Sequence, residues 1–444
     1  MDRPPNLALV IIYNHRYDQN IDLLERVYRD RFGHIFHLMP FYTGDRANVI
    51  PVYGNSHYFS GFVAQGFRHF HRPEFTHYLF IADDLILNPA VDARNFQEAM
   101  GLPPGHCYLP GFHRTGPKEQ GFWMHARSSV EWTPKAWGLE VAHQLPSAEE
   151  AAARLKRHGL RLEPLSFRRV FKTPVGWREW LRLALSNPAL FAHRARGVLR
   201  NVTFTQRYPL AAGYSDIFMV TSDAIAEFAS LCGMLAAANL FVEHAIPTAM
   251  ALSANAVAED PSLKLRGKAL WTPEQHKALE RYDMSLSALL SDFPEGWLYV
   301  HPVKLSRWMG DLDVTLRHSV SWAELVESPG GRNQVKDVRV EGEDLRVTST
   351  GSDPFIVLPK VPLDPSRDTS VRLELTVPEP TLVQLYYQGS AERDFRQQDC
   401  LTWRAPAGRG RLIRRISQPL NGMFRIDPGT CAGSFRIHRI EFIQ

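Results

Sequence analysis

Two adjacent carboxylates, Asp83 and Asp84, close the apolar run Tyr78-Leu79-Phe80-Ile81-Ala82. Such a run reads as a buried strand of a parallel sheet. Like charges side by side at a strand end are costly unless something positive sits beside them. A divalent cation meets that need, because hard cations take carboxylate oxygens. Ligands of open α/β sheets also bind outside the carboxyl ends of the strands. A solvated turn, or a helix N-cap closed by Asn88-Pro89, accounts for the same residues. Two later segments hold acids in apolar settings. Gly213-Tyr214-Ser215-Asp216 enters a short strand over 217–220. Phe241-Val242-Glu243-His244 offers Glu243, which is either tied into a helix or raised in pKa and able to move a proton. His301 ends the run Trp297-Leu298-Tyr299-Val300, either packed and hydrogen-bonded or converging with the carboxylates as a ligand.

These groups need a frame. Residues 7–13, Leu-Ala-Leu-Val-Ile-Ile-Tyr, form a continuous apolar strand, followed by a polar loop. Ile21, Leu24, Val27 and Tyr28 then lie on one face of a helix that Gly33 ends. Residues 35–39 and 49–53 read as strands, and 57–70 as a helix with five apolar positions. Alternating strands and helices predict βαβ units and a mostly parallel, Rossmann-like α/β sheet. From Cys107 to Trp132 short strands and the aromatics Phe112, Phe122 and Trp123 suggest a β-excursion. Ser147-Ala148-Glu149-Glu150 is a capping box for a helix through His158. Residues 154–207 are strongly basic, with Trp177, Trp180, Leu181 and Leu185 interleaved and only Glu163 and Glu179 opposing. That insertion, about 147–207, suits an anionic membrane surface, substrate phosphates, or a solvated helical face.

Residues 327–334, Glu-Ser-Pro-Gly-Gly-Arg-Asn-Gln, read as a linker between a domain over 1–326 and another over 335–444. Beyond the linker the period switches to two, as in Val371, Leu373, Leu375 and Val377, which predicts an antiparallel β-sandwich. The chain has 444 residues, 44% hydrophobic and 22% charged, the balance of a globular protein. A net charge of +4 is too mild to argue for nucleic acid, and no recognition module is present. Four scattered cysteines make neither a zinc site nor a disulfide framework and point to a reducing compartment. No stretch approaches the ~18 apolar residues of a membrane span, and no signal peptide is evident. The expectation is a cytoplasmic protein, at most on the inner face of a membrane through residues 154–207.

Three motifs resemble the GT-A type of glycosyltransferase, over roughly residues 5–310. Ala82-Asp83-Asp84 is similar to the DxD motif, whose first position, often Asp, is Ala82 here. Gly213-Tyr214-Ser215-Asp216 with Phe241-Val242-Glu243-His244 is similar to the acceptor side of such enzymes. Tyr299-Val300-His301-Pro302 looks like their late histidine. The terminal strands resemble a small β-sandwich appended to some bacterial polysaccharide-building enzymes, with carbohydrate binding or packing as its role.

The resemblance implies sugar transfer from a nucleotide sugar to a glycan or lipid-linked glycan, in bacterial surface polysaccharide synthesis. It implies Asp84 and His301 as ligands of Mn2+ or Mg2+, with Asp83 a ribose or outer contact. Glu243 is then the first choice of base and Asp216 the second. Tyr13 and Asn14 are placed to read the nucleotide, and Lys304 to assist the diphosphate. Two other classes compete. A metal-dependent phosphohydrolase would want two aspartates spaced by one residue, whereas Asp83 and Asp84 adjoin. A non-catalytic carbohydrate-binding protein would explain the sandwich but not the converging acids.

Overall fold

The computed structural model describes residues 6–113, 127, 130–134, 143–160, 164–172, 177–312, 316–327 and 330–444. The chain divides into two compact units, one of residues 1–269 and 294–302, the other of residues 270–293 and 303–444.

In the first unit β1 (Leu7–Ile12), helix α1 (Ile21–Tyr28), β2 (Ile35–Pro40), β3 (Val49–Val52), helix α2 (Ser60–Phe70) and β4 (His77–Ala82) follow in turn. β3, β2, β1 and β4 are parallel neighbours, and every residue of β1 and β4 is buried. That explains why these strands read as unbroken apolar runs rather than alternating ones. Next come β5 (Ile86–Leu87), β6 (Cys107–Tyr108), β7 (Phe112–His113), β8 (Leu165–Ser166), β9 (Thr203–Phe204) and β10 (Ala212–Gly213). The unit ends with β11 (Ile217–Thr221), β12 (Val257–Ala258), β13 (Arg266–Ala269) and β14 (Trp297–His301).

The main sheet has seven strands in the order β12-β6-β11-β4-β1-β2-β3. It is mixed, because β11 runs antiparallel to both β4 and β6. The other six strands run in one direction, so the sheet is mostly parallel, as the sequence suggests, with β11 its one reversed member. Phe80 of β4 stacks on Phe218 of β11 with centroids 4.7 Å apart, inside an extensive apolar core. A separate three-stranded sheet, β13-β14-β5, starts directly after the two aspartates.

The basic insertion is largely helical. Ser147 caps the helix Ala148–Arg157 by accepting from Glu150 N–H, while the Glu150 side chain pairs with Arg154 at 2.6 Å. The helices Phe167–Lys172, Trp177–Ser186 and Pro188–Arg200 follow, and Val198 of the last packs on a small core of Val130, Leu165, Phe167, Val170 and Phe171. Phe122, Trp123, Arg161 and Glu163 lie outside the described residues.

In the second unit, β15 (Arg317–Ser319) precedes β16 (Arg332–Asn333), β17 (Val335–Glu341), β18 (Asp344–Ser349), β19 (Phe355–Val357) and β20 (Thr369–Val377). β21 (Thr381–Gly389), β22 (Cys400–Ala405), β23 (Gly408–Ile416), β24 (Leu420–Asp427) and β25 (Gly433–Ile443) complete it. Two antiparallel sheets, β17-β18-β25-β20-β23 and β16-β19-β24-β21-β22, share one apolar core. Residues 270–293, 303–312 and 316–326, which the sequence assigned to the first domain, belong with these strands. Asp283 is one tie of the first segment: it pairs with Arg411 and with Arg372, a guanidinium only 3% exposed. For the second, β15 pairs with β25, and Arg317 bonds Glu441 at 3.2 Å.

Two buried histidines set an acid limit on the first unit. Burial holds His77 and His244 near pKa 4, below the ordinary 6.5. The unfolded chain takes up their protons first, so stability is intact above pH 6.5 and declines as pH falls toward 4. The full loss is roughly 3 kcal/mol for each histidine. Denaturant unfolding at stepped pH checks this, and His244→Leu should flatten part of the decline. An unchanged slope in that variant would remove His244 from the account.

Candidate functional site

β4 stops at Ala82 because its last sheet bonds are made there. Ala82 N–H donates to Asp216 O (2.8 Å), and Asp83 N–H to Ile12 O (3.0 Å). The chain then turns, with Leu85 N–H donating to Ala82 O. Tyr28, buried on α1, clamps this turn. Its hydroxyl donates to Leu85 O at 3.0 Å and accepts from Leu87 N–H at 3.2 Å. β5 pairs with β14 through Val300 opposite Ile86 and Tyr299 opposite Leu87. Asn88 fixes the same junction, donating from Nδ2 to Trp297 O at 2.7 Å. His301 at the end of β14 is thereby carried to Asp84.

His301 Nε2 lies 3.0 Å from Asp84 Oδ1 and 3.9 Å from Asp216 Oδ2. Its Nδ1 lies 2.7 Å from the Tyr214 hydroxyl. All four side chains are mostly buried. Tyr214 also hydrogen-bonds Asp216, and burial followed by that carboxylate's charge pushes its phenol far above the ordinary range. A neutral phenol has one proton. If Asp216 receives it, Nδ1–H must donate to the Tyr214 oxygen, and Nε2 is left facing Asp84. Tyr214 stacks on Tyr299 at 6.1 Å and 9°. Tyr299 in turn lies over Gly267, where a Cβ would meet its ring at 2.2 Å, so only glycine admits the ring there. Gly213 is similarly required, since a Cβ would stand 2.6 Å from Gly111 O.

Glu243 sits in the first turn of the helix Val242–Ser253. Ser215 ties that helix to the Tyr214 segment, its hydroxyl donating to Gly213 O at 3.2 Å and facing Val242 O at 3.5 Å. Burial, and secondarily the charge of Asp216, raise the Glu243 carboxyl to about 8. It is neutral at pH 7 and becomes a strong proton acceptor once ionised.

The remaining expected residues are placed differently. Asp83 is buried and turns toward α1, where Asn20 Nδ2 lies 3.4 Å from its Oδ2. Tyr13 is fully buried, with its hydroxyl 2.9 Å from His37 Nδ1, and His37 continues to Glu25 at 2.9 Å. That ring belongs to the core and not to the Asp84 cluster. Asn14 follows β1 in a partly exposed bend, and Lys304 is an exposed residue of the second unit. Tyr214, Tyr28 and Asn20 were missed as site residues. For Tyr214 the signal was its position two residues before Asp216.

Among the described residues no group of three or more His, Cys, Asp or Glu side chains is set to hold a metal ion alone. The Asp84–His301 pair nevertheless suits a partial site. A separation of 3.0 Å is a hydrogen bond when Nε2 carries a proton, and equally that of adjacent donors on an octahedral cation with ~2.1 Å bonds when it does not. Mg2+ commonly takes one or two protein ligands and completes its shell with water and substrate phosphate.

No family model matches the chain, and no curated protein matches it. Among solved structures it is similar to carbohydrate-binding modules over part of its length. A family 29 module shares 13% identity over 26% of this chain and 80% of that one, with a TM-score of 0.20. Another family 29 module, from Piromyces equi, shares 11% over 29% and 89%, at 0.22. The C-terminal family 6 module of a marine laminarinase from Zobellia galactanivorans shares 11% over 29% and 100%, at 0.20. Likenesses at these values carry no functional argument.

Tyr214→Phe should leave His301 Nδ1 and Asp216 without a buried hydroxyl. The expected cost is about 1–3 kcal/mol in denaturant unfolding, with a displaced imidazole nitrogen resonance. An unmoved resonance would show that Tyr214 does not hold the ring.

Proposed function

We propose that the first unit is a GT-A-type glycosyltransferase. It moves a sugar from a nucleotide-sugar donor to a glycan or lipid-linked glycan, in the building of bacterial surface polysaccharide. The observation that carries this reading is the Asp84–His301 contact at the carboxyl end of β4, with Tyr214 and Asp216 behind the imidazole. That end of an α/β sheet is where ligands bind.

Transfer forms a bond from an acceptor oxygen to the anomeric carbon and breaks the bond from that carbon to the diphosphate, which keeps the electron pair. Asp84 and His301 would hold Mn2+ or Mg2+, which when bound offsets the charge of the departing diphosphate. Tyr214 keeps Nε2 of His301 turned toward Asp84. Glu243 takes the acceptor proton, and Asp216 orients Tyr214 and is the second choice to touch the acceptor. Asn14, beside the end of β1, is the group offered to the nucleotide, and buried Asp83 is an outer contact behind that turn.

A second reading, carbohydrate binding without catalysis, has one observation of its own. On the side of β21 and β24 turned from the core, Arg425 forks onto Asp427 at 2.8 and 2.6 Å. Its guanidinium lies 3.9 Å from the Phe355 ring centre and 4.8 Å from that of Tyr386. Fixed polar groups beside aromatic rings suit sugar hydroxyls.

A thermal-shift screen of the full chain against nucleotide sugars, with and without Mn2+ or Mg2+, tests the transferase. One nucleotide sugar should raise the melting temperature only with metal, and Asp84→Asn should abolish both the shift and diphosphate release. Glycan retention with no nucleotide-sugar response would favour the second reading. Equal turnover by Asp84→Asn would end the metal role.

The pH profile tests the base. Glu243 accepts a proton only when ionised, so turnover should rise with pH through about 8 and then level. Glu243→Gln should lose ~10²–10⁴-fold and the rising limb with it. A profile flat through that region would dismiss Glu243.

A further inference from the structure

The helix Trp177–Ser186 has two outward rows. Trp177, Leu181 and Leu185, spaced by four, are 71%, 50% and 78% exposed. Arg178 and Arg182, each one residue further on, form a second exposed row alongside. The Arg178 guanidinium lies 5.6 Å from the Trp177 ring centre, so the rows touch. The opposite face is occupied: Trp180 meets Phe191 of the helix Pro188–Arg200 edge-on at 5.6 Å. At the far end of that second helix Leu199 is 84% exposed and Val202 43%, beside exposed Arg196 and Arg200.

A folded chain rarely leaves large apolar side chains in register on its surface without a use for them. Other cations of the insertion serve the fold. Arg154 bonds Glu227 at 2.6 Å and Leu252 O at 2.8 Å, and Arg194 bonds Glu131 at 2.5 Å. Arg178 and Arg182 face outward instead. An apolar row flanked by arginines matches the boundary between acyl chains and anionic headgroups. Arginine stems can lie along the apolar row while their guanidinium groups reach lipid phosphates. No helix among the described residues is long and apolar enough to cross a membrane, so contact would be lateral.

We propose that the outward face of the helix Trp177–Ser186 docks the protein laterally on an anionic lipid surface. Trp177, Leu181 and Leu185 enter the interface, and Arg178 and Arg182 pair with phosphate. This docking is separate from sugar transfer, and Asp84→Asn should bind lipid as the wild type does.

The test is flotation of the full chain with vesicles of phosphatidylcholine, alone or mixed with phosphatidylglycerol. Binding should require phosphatidylglycerol and weaken as salt rises. Neutralising Arg178 and Arg182 with glutamine should lower partitioning about fivefold per residue. Serine at 177, 181 and 185 should lower it at least tenfold. All these side chains point outward, so melting temperatures should be unchanged. A Trp177→Phe variant should lose part of the emission blue shift seen on vesicle binding. Absence of binding, equal binding to both vesicles, or variants that bind as the wild type does would overturn the proposal. So would wild-type self-association that the serine variant dissolves, which would give the face to a second copy of the chain.

Discussion

The site depends on where strand β4 stops. The sheet bonds from Ala82 to Asp216 and from Asp83 to Ile12 are its last, and the chain then leaves for a different sheet. Side chains on either side of that exit are driven apart. Asp83 turns back toward α1 and Asn20, whereas Asp84 meets His301. Ala82 still lies within β4, with only 5% of its surface exposed. A carboxylate there would add a third acid in a buried strand, and ionised groups are costly to bury. Alanine is thus the residue type this strand end accommodates.

Glu243 shows which electrostatic effect wins. It stands in the first turn of a helix, where the dipole favours a negative charge by ~0.3–1 kcal/mol. Its lift from 4.5 to about 8 corresponds to at most roughly 5 kcal/mol against ionisation. Burial and the neighbouring Asp216 therefore dominate the dipole. The same Asp216 adds to burial in raising the Tyr214 phenol, so one carboxylate acts on the imidazole through Tyr214 and on Glu243 through space.

Much of the frame was legible because it is fully buried. Residues 7–13, 35–39 and 49–53 read as strands and are found within a residue at Leu7–Ile12, Ile35–Pro40 and Val49–Val52. Helix α2 and the alternating strands of the second unit were equally plain. β5 was not, since two residues carry no periodicity, although its pairing with β14 sets the position of His301. The assignment of residues 270–293 was hidden for another reason. Among its ties is Arg372 reaching Asp283 across 89 positions, and no local pattern encodes that pairing. Tyr13 was placed at the correct strand end, but its ring turned into the core toward His37.

The direction of β11 is the least legible feature and the one with the largest consequence. Asp216 precedes that strand. In a parallel strand it would stand at the amino end of the sheet, a full strand length from Asp84. Because β11 runs antiparallel to β4, with Ile217 opposite Ile81, its entry meets the exit of β4. Asp216 and Tyr214 then arrive beside Asp84, and the helix bearing Glu243 follows through Ser215. One reversed strand thus brings residues 214–216 to Asp84, as the β5–β14 pairing brings His301, and the spacing of these residues in the chain gives no hint of it.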